Sequence, residues 1–473
     1  MLISCYRMDM EKLIAIIDNG INEQLLKHII KKISFDEDDN CIIDNTRSRS
    51  NQSQHGTNCA CVLRKYCPNV DIVSIRILEE NGNGYINKFS LALDWCDKNR
   101  IKIINASFGT ENFRDKKELK NIINHYVNKG MIIVAASPNS GNIGYPASFS
   151  NVIGVVSGRD LMVGQNIQLL KGIDFIAPSD HEILIEGVSF RLGKSNSYAA
   201  PYITALVGNL ISAKGYMTVD EIRDQLCEGR NSFIYAPDWI ESAWITPDYK
   251  RSKAEYYFDE DTRSLQECFD DIDTIVFLNS EDVDKYIDLG KHIVYIGEGN
   301  IHRFDKKHHF WSKELRREQI MSSKKKSGEL DIPTIYCIFV NQIDVIWYLC
   351  ELKSLFANDG YNAFTGCSSV DSVLYDLEYL PDEDEIREEL VDFVYWQTYY
   401  QQSDLVLIGA LEKDCFINEP DMVAYFYPEK DGITVRIICD EDTESEIHYS
   451  DLEVECITKI YGDIVSRFEK EDE

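Results

Sequence analysis

The 473-residue chain contains no run of about 18 apolar residues, so it predicts no membrane-spanning helix. It also lacks a cationic surplus: 49 Lys and Arg stand against 80 Asp and Glu, a formal charge of −31. Binding to a phosphate backbone draws on Lys and Arg, so the balance argues against nucleic acid as the main ligand. The opening residues, MLISCYRMDMEKLIAIID, show no basic flank, adequate apolar run or small-residue cleavage site, and do not read as an export signal. The 14 cysteines follow no framework spacing, which in a chain of this size predicts reduced thiols and a cytoplasmic protein. No internal repeat is visible, and the phosphate-loop pattern G-x-x-x-x-G-K-[ST] is absent.

What is present is enough apolar residue, 44%, to build packed cores, over a length that suggests two or three domains. The charge divides them. Residues 1–250 hold 29 acidic and 27 basic side chains, net −2, and residues 251–473 hold 51 and 22, net −29. The stretch 234–263 has two prolines, no sustained period and many aromatics, and reads as a connector. The predicted domains are therefore 1–233 and 264–473, with a polar loop break at 322–329 ending a basic island from Arg303 to Lys326.

In the first part, KLIAIID, VDIVSIRIL, IKIINASFG, MIIVAAS, NVIGVVSG and IDFIAPS read as apolar strands, separated by helical patterns such as FSLALDWCDKN and ELKNIINHYVNKG. Continuous apolar strands alternating with amphipathic helices predict a parallel sheet covered on both faces. Ligands bind such sheets at the carboxyl ends of the strands. Asp18 closes the first strand, His55 opens a helix at HGTNCACVL, Asn139 follows MIIVAAS, and Ser197 precedes a second helix in SNSYAAPYITALVG. A serine nucleophile needs an imidazole to take its proton, and that imidazole needs a carboxylate to fix its tautomer. The oxyanion needs preorganised donors, which a helix N-terminus and an Asn amide can supply. Each piece alone is ordinary turn or cap chemistry; the four together, each at a strand end, are not.

The strings IAIIDNGI, HGTNCACVL, NASFG, VAASPNSG, GYPASFSNVIGVVS, DFIAPS and SNSYAAPYITALVG resemble, in order, the segments of subtilisin-like serine proteases, over roughly Leu13 to Glu228. The resemblance implies a three-layer α/β/α sandwich around a mainly seven-stranded parallel sheet. It implies a catalytic triad of Asp18, His55 and Ser197, with Asn139 in the oxyanion hole, and peptide bonds as the substrate. It further implies that Gly82-Asn83-Gly84 and Ser107-Phe108-Gly109 clasp a peptide as added strands. Ala136-Ser137 and Gly144-Tyr145 would help line the specificity pocket, with Ser140 at its rim. No charge lies in these segments, which favours a small or apolar residue before the cut.

Departures from the family pattern are Asn19 after the Asp, Ser195-Asn196 before the nucleophile, Pro138 before Asn139 and Tyr202 after the motif's proline. Only RKYCPN separates the His55 helix from the next strand, where secreted subtilisins carry a calcium-binding loop, so no metal and no cofactor is expected. Asp18 lies too near the start for an inhibitory pro-domain, so the protease is expected to be active as made. Cys59, Cys61 and Cys67 lack a matching ligand pair and read as buried small hydrophobes. His308-His309 reads as a surface feature.

The second part continues as acidic α/β. IPTIYCIFV and SDLVLIGAL read as strands, NQIDVIWYLCELKSLFANDG as a helix capped at Asn341, PDEDEIREEL as a helix start and MVAYFYPEKDGITVRIICDE as a hairpin. The loop after IPTIYCIFV stands where phosphate could sit, but Asn341-Gln342 supplies neither Gly nor Lys, which disfavours a nucleotide there. A subtilisin-like part joined to an acidic α/β part is similar to proteases of bacterial peptide-maturation systems. That likeness implies a precursor peptide as substrate, cut to release a leader, and other maturation proteins as partners. The competing expectation is a catalytically weak protein that only clasps peptides, as an adaptor or scaffold.

Overall fold

A computed structural model describes residues 13–23, 25–26, 29–45, 55–79, 81–160, 162–163, 173–185, 187–227, 240–299, 301, 310–322, 330–340, 343–411, 416–417, 420–439, 444–450 and 454–471. The first twelve residues, His308-His309, Asn341-Gln342 and all but Ser322 of the predicted break at 322–329 lie outside the described residues. The chain forms two compact units, Met1–Phe233 and Ile234–Glu473. The first holds 26 acidic and 26 basic residues, net zero; the second holds 80 − 26 = 54 and 49 − 26 = 23, so the whole −31 belongs to it.

The first unit is built on β1 (Leu13–Asp18), β2 (Ile29–Phe35), β3 (Cys41–Ile43), β4 (Asp71–Arg76), β5 (Ile103–Ala106), β6 (Ile132–Ala136), β7 (Ile153–Gly158), β8 (Met162–Val163) and β9 (Phe175–Pro178). They form one sheet in the order β3-β2-β4-β1-β5-β6-β7-β9-β8. The seven strands from β2 to β9 in that order run parallel, and β3 and β8 close the edges antiparallel. The helices are α1 (His55–Tyr66), α2 (Ile86–Lys98), α3 (Lys116–Val127), α4 (Asn196–Lys214) and α5 (Val219–Cys227). α1 packs along α4, and α2 along α3, giving a helical layer on each side of the sheet. A hairpin, β10 (Glu182–Ile185) with β11 (Val188–Arg191), lays Ile183 and Ile185 on α1. The expected three-layer α/β/α architecture is thus present.

Periodicity explains these elements. β1 and β6 are buried along their whole length, as central strands covered on both faces must be. α4 is apolar nearly all round because it runs through the interior, burying Ala199, Ile203, Ala205 and Val207 completely. Strands β2 and β3 were not legible: IIKKISF interrupts its apolar pattern with two lysines, which stay half-buried one strand in from the sheet's edge, and CII is exposed along its whole length.

The second unit contains two sheets, the first all parallel and the second parallel except for an antiparallel run at one edge. One orders β12 (Ser242–Ile245), β13 (Asp259–Glu260), β14 (Thr274–Phe277), β15 (His292–Tyr295) and β16 (Phe310–Ser312) as β13-β12-β14-β15-β16, with α6 (Leu265–Cys268), α7 (Ser280–Tyr286) and α8 (Lys313–Met321) between and after them. The segment 234–263, expected as a connector, therefore supplies two strands of this sheet. The other sheet comprises β17 (Thr334–Phe339), β18 (Ala363–Cys367), β19 (Glu378–Tyr379), β20 (Leu405–Leu411), β21 (Met422–Glu429), β22 (Gly432–Ile438) and β23 (Glu444–Tyr449). Its order is β19-β18-β20-β17-β21-β22-β23, accompanied by α9 (Val345–Asp359), α10 (Arg387–Gln401) and α11 (Val454–Glu471). The cap of α9 is Asp344, which accepts from the Trp347 N–H, so the helix begins later than the expected Asn341. No described helix is long and apolar enough to cross a membrane.

Candidate active site

Asp18 ends β1 at the carboxyl edge of the sheet and is only 1% exposed. His55 begins α1 directly above it. The approach depends on Gly56: a Cβ there would stand 2.6 Å from the Gly20 carbonyl oxygen and 3.1 Å from the Asp18 Cβ. Asn19 fastens the same joint, its side chain accepting from the Gly56 N–H at 3.0 Å. The departure at residue 19 is thus a clamp between strand and helix. His55 Nδ1 lies 2.9 Å from each Asp18 carboxylate oxygen. With a carboxylate as acceptor, Nδ1 carries the proton and Nε2 is left as the basic nitrogen.

Ser197 stands in the first turn of α4, whose cap is Ser195; the Ser195 hydroxyl oxygen accepts from the Ser197 N–H at 3.3 Å. Asn196 locks the turn in place. Its amide donates to the Ser137 and Pro138 carbonyls at 3.0 and 2.8 Å, and its oxygen accepts from the Ser157 N–H at 2.7 Å. Pro201 cannot donate to the carbonyl four residues before it. That carbonyl belongs to Ser197, and the Cys59 thiol donates to it instead at 3.4 Å. Cys59 Sγ also lies 4.0 Å from His55 Nδ1 and 3.5 Å from Ser107 Oγ. The Tyr198 ring stacks on the His55 ring, centroids 5.5 Å apart, and its hydroxyl accepts from Asn58 at 3.3 Å. His181 Nε2 meets the Tyr198 carbonyl at 3.1 Å.

So Asp18, His55 and the Ser197 turn gather at one sheet edge. Among the described residues no hydrogen bond joins Ser197 Oγ to His55. Asn139 reaches the same turn: its oxygen accepts from the Asn196 N–H at 3.0 Å, and its amide points at Ser195 Oγ at 3.5 Å.

Burial disfavours charge on His55, but the adjoining Cys59 sulfur and the Asp18 carboxylate outweigh it, and its pKa is raised above the ordinary value. Burial raises the Cys59 pKa as well, so at neutral pH it is a thiol, and the anion acting on His55 is Asp18. Asp18, His55 and Cys59 hold potential metal-ligating atoms within 4.8 Å of one another. The neutral thiol and the Asp18–His55 bond suit a hydrogen-bonding cluster better than a cation. Cys59, Cys61 and Cys67 are all buried, as expected of small hydrophobes. The spacing His55 to Cys59, one helical turn, was the signal for the thiol's place beside the ring. Nothing in the sequence marked His181.

Ser107 is buried and accepts from Asn105 Nδ2 at 2.9 Å, and Phe108 packs edge-on against Phe89. After Gly109, Thr110 and Tyr145 exchange backbone bonds of 2.9 and 2.8 Å, joining the 107–110 segment to Gly144-Tyr145. Ala136 ends β6, and the Ser137 N–H donates to the Val155 carbonyl. Pro138 lies so close to Gly144 that a Cβ on Gly144 would stand 2.1 Å from its ring. Gly82-Asn83-Gly84 is an exposed turn, closed by Glu79 N–H to the Asn83 carbonyl at 2.8 Å. Ser140, which the resemblance would put at the pocket rim, donates to Glu111 at 3.0 Å, and Asn142 donates to its other oxygen at 3.3 Å. A carboxylate that the pocket segments themselves do not contain therefore stands beside Ser140.

Residues 10–230 match the subtilase family model. The minor extracellular protease Epr of Bacillus subtilis (strain 168) is 30% identical over 45% of this chain and 34% of its own length. The thermophilic serine proteinase of Bacillus sp. (strain AK1) is 27% identical over 45% and 55%, and the alkaline elastase YaB of Bacillus sp. (strain YaB) 25% over 41% and 52%. The chain thus spans between a third and about half the length of these relatives. Among solved structures, the S41 psychrophilic protease aligns at 20% identity over 47% of this chain and 84% of its own, with a TM-score of 0.39. Residues 10–230 form a domain of the subtilase family, of the subtilisin-like serine protease kind.

Proposed function

We propose that this protein is a serine endopeptidase. Ser197 Oγ attacks the scissile carbonyl while His55 Nε2 takes its proton, then returns it to the leaving amine. Asp18 holds the imidazole in the Nδ1–H tautomer and stabilises its cation. The Ser197 N–H at the start of α4 and the Asn139 amide, both turned to Ser195 Oγ in the free protein, receive the oxyanion when that hydroxyl swings aside. The observation carrying this reading is the doubly bonded Asp18–His55 pair, 2.9 Å to each oxygen, beside the Ser197 turn. A fluorophosphonate probe should label the full chain at Ser197 and fail on Ser197→Ala. An unlabelled wild type at neutral and alkaline pH overturns the reading.

A second reading, a peptide-clasping adaptor, is favoured by one feature: Asn139 spends its oxygen on Asn196 and turns its amide to Ser195. It requires peptide affinity that survives Ser197→Ala with no product from either form.

The substrate we propose is a precursor peptide whose leader is removed in the cytoplasm, alongside other peptide-maturation proteins. This is supported by the union of a subtilase domain with an acidic α/β unit. The eleven cysteines whose side chains are described, all free, suit a reducing compartment. Cleavage of candidate precursors by purified protein, read by mass spectrometry, tests it; the same spectra test whether the chain is active without trimming its own N-terminus.

A further inference from the structure

The second unit holds 54 acidic and 23 basic residues, yet three of the four residues Lys250-Arg251-Ser252-Lys253 are basic. This quartet is fastened over the carboxyl ends of β17, β18 and β20. The Ser252 hydroxyl and the Lys253 N–H donate to Asp344 at 2.7 and 2.8 Å, and the Ser252 N–H donates to the Tyr375 hydroxyl at 3.0 Å. Just before the quartet, the Tyr249 hydroxyl donates to Asp371 at 2.7 Å. Beneath lies a cavity of about 500 Å³, lined by Lys250, Arg251, Ser368, Gly409 and the Ile343–Ile346 start of α9. Its size is that of a small-molecule site.

Position and chemistry agree. The chain leaves β17 through α9 for β18 and returns to place β20 between them, while β21 lies on the other side of β17. That reversal of direction at the carboxyl edge is where open α/β sheets take ligands. Asp344 and Asp371 also border the cavity, but both are already engaged: Asp344 with Ser252, Lys253 and the Trp347 N–H, Asp371 with Tyr249 and Ser369. The cations are differently placed. Among the described residues Lys250 has no ion-pair partner, and Arg251 stacks on Tyr256 and shares its guanidinium with Glu260. Val345 and Ile346 offer an apolar wall. A phosphate loop would carry its lysine after β17; here Lys250 and Arg251, some ninety residues upstream, bring the charge to the same strand end.

We infer that this cavity binds a small phosphorylated compound of nucleotide size, its phosphate held by Lys250, Arg251 and the Ser368 hydroxyl and its body against Val345 and Ile346. This inference is independent of the peptidase reading. The test is calorimetric titration of the full chain carrying Ser197→Ala with ATP, inorganic pyrophosphate and citrate. ATP and pyrophosphate should bind, with affinity falling at least tenfold in a Lys250→Glu, Arg251→Glu double variant and by a smaller factor in Lys250→Ala. Both side chains are exposed, so the unliganded variants should melt with the parent. Absence of heat with ATP and pyrophosphate at millimolar concentration, undiminished binding by both variants, or tighter binding of citrate than of pyrophosphate would each overturn the assignment.

Discussion

Gly56→Ala should separate the two halves of the site without touching a reacting group. The new Cβ would stand 2.6 Å from the Gly20 carbonyl, whereas ordinary contact begins near 3.4 Å, so α1 must retreat by 3.4 − 2.6, about 0.8 Å. His55 is the adjacent residue, and its 2.9 Å bonds to Asp18 would then stretch to about 3.7 Å, beyond hydrogen bonding. Misplacement on this scale costs on the order of 10²-fold in rate, rising toward 10⁴ if the tautomer is lost. Overpacking the joint should cost about 1–3 kcal/mol of stability. The assay is the second-order rate of fluorophosphonate labelling, with melting temperature measured in parallel. Gly208→Ala is the control: there a Cβ meets only the Ile14 methyl at 3.0 Å and Cys67 Sγ at 3.6 Å, and labelling should be unchanged. A folded Gly56→Ala protein labelled within threefold of wild type would refute the reasoning.

With the His55 pKa raised, the labelling rate should climb with a midpoint above the ordinary histidine value; a midpoint at or below 6.5 contradicts this. The same raised value means that the Asp18–His55 pairing stabilises the fold fully below about pH 6.5 and loses that contribution as pH rises through the folded pKa, which urea titrations across pH can follow. Arg223, 4% exposed, binds Asp174 at 3.0 Å and the Val152 carbonyl at 3.1 Å, and burial raises Asp174 to about 6 despite this partner. Arg223→Met leaves that carboxyl buried without its cation and should lower unfolding free energy by about 3–5 kcal/mol in urea; a loss under 1 kcal/mol would show the pair to be dispensable. A peptide-library profile should favour small or apolar residues before the cut, since both Glu111 oxygens already accept from Ser140 and Asn142; dominance by Arg or Lys would show that Glu111 is available to substrate.

How much could be read in advance depended on how local the cause was. Strands β1, β5, β6 and β7 are continuous apolar runs that need burial on both faces whatever their neighbours, and so were legible. β12 and β13 were not: SAWI owes its conformation to pairing with β14, and the two-residue DE to pairing with β12 in turn. The family strings placed Asp18, His55 and Ser197 near one another by analogy, but the parts that support them came from elsewhere. Asn196 ties α4 to the ends of β6 and β7, and Cys59 satisfies the carbonyl that Pro201 leaves open, across 138 residues of sequence.

The amino-acid order alone determined the alternation of strand and helix, the concentration of negative charge in the second part and the strand ends at which chemistry would gather, because periodicity and charge are properties of neighbours along the chain. Only the tertiary structure decided that Glu111 accepts from Ser140 and Asn142, that Tyr198 stacks on His55, and that Lys250 and Arg251 roof a cavity in the second unit. Those meetings join residues far apart in sequence, and burial and hydrogen bonding select them only once the sheets have formed.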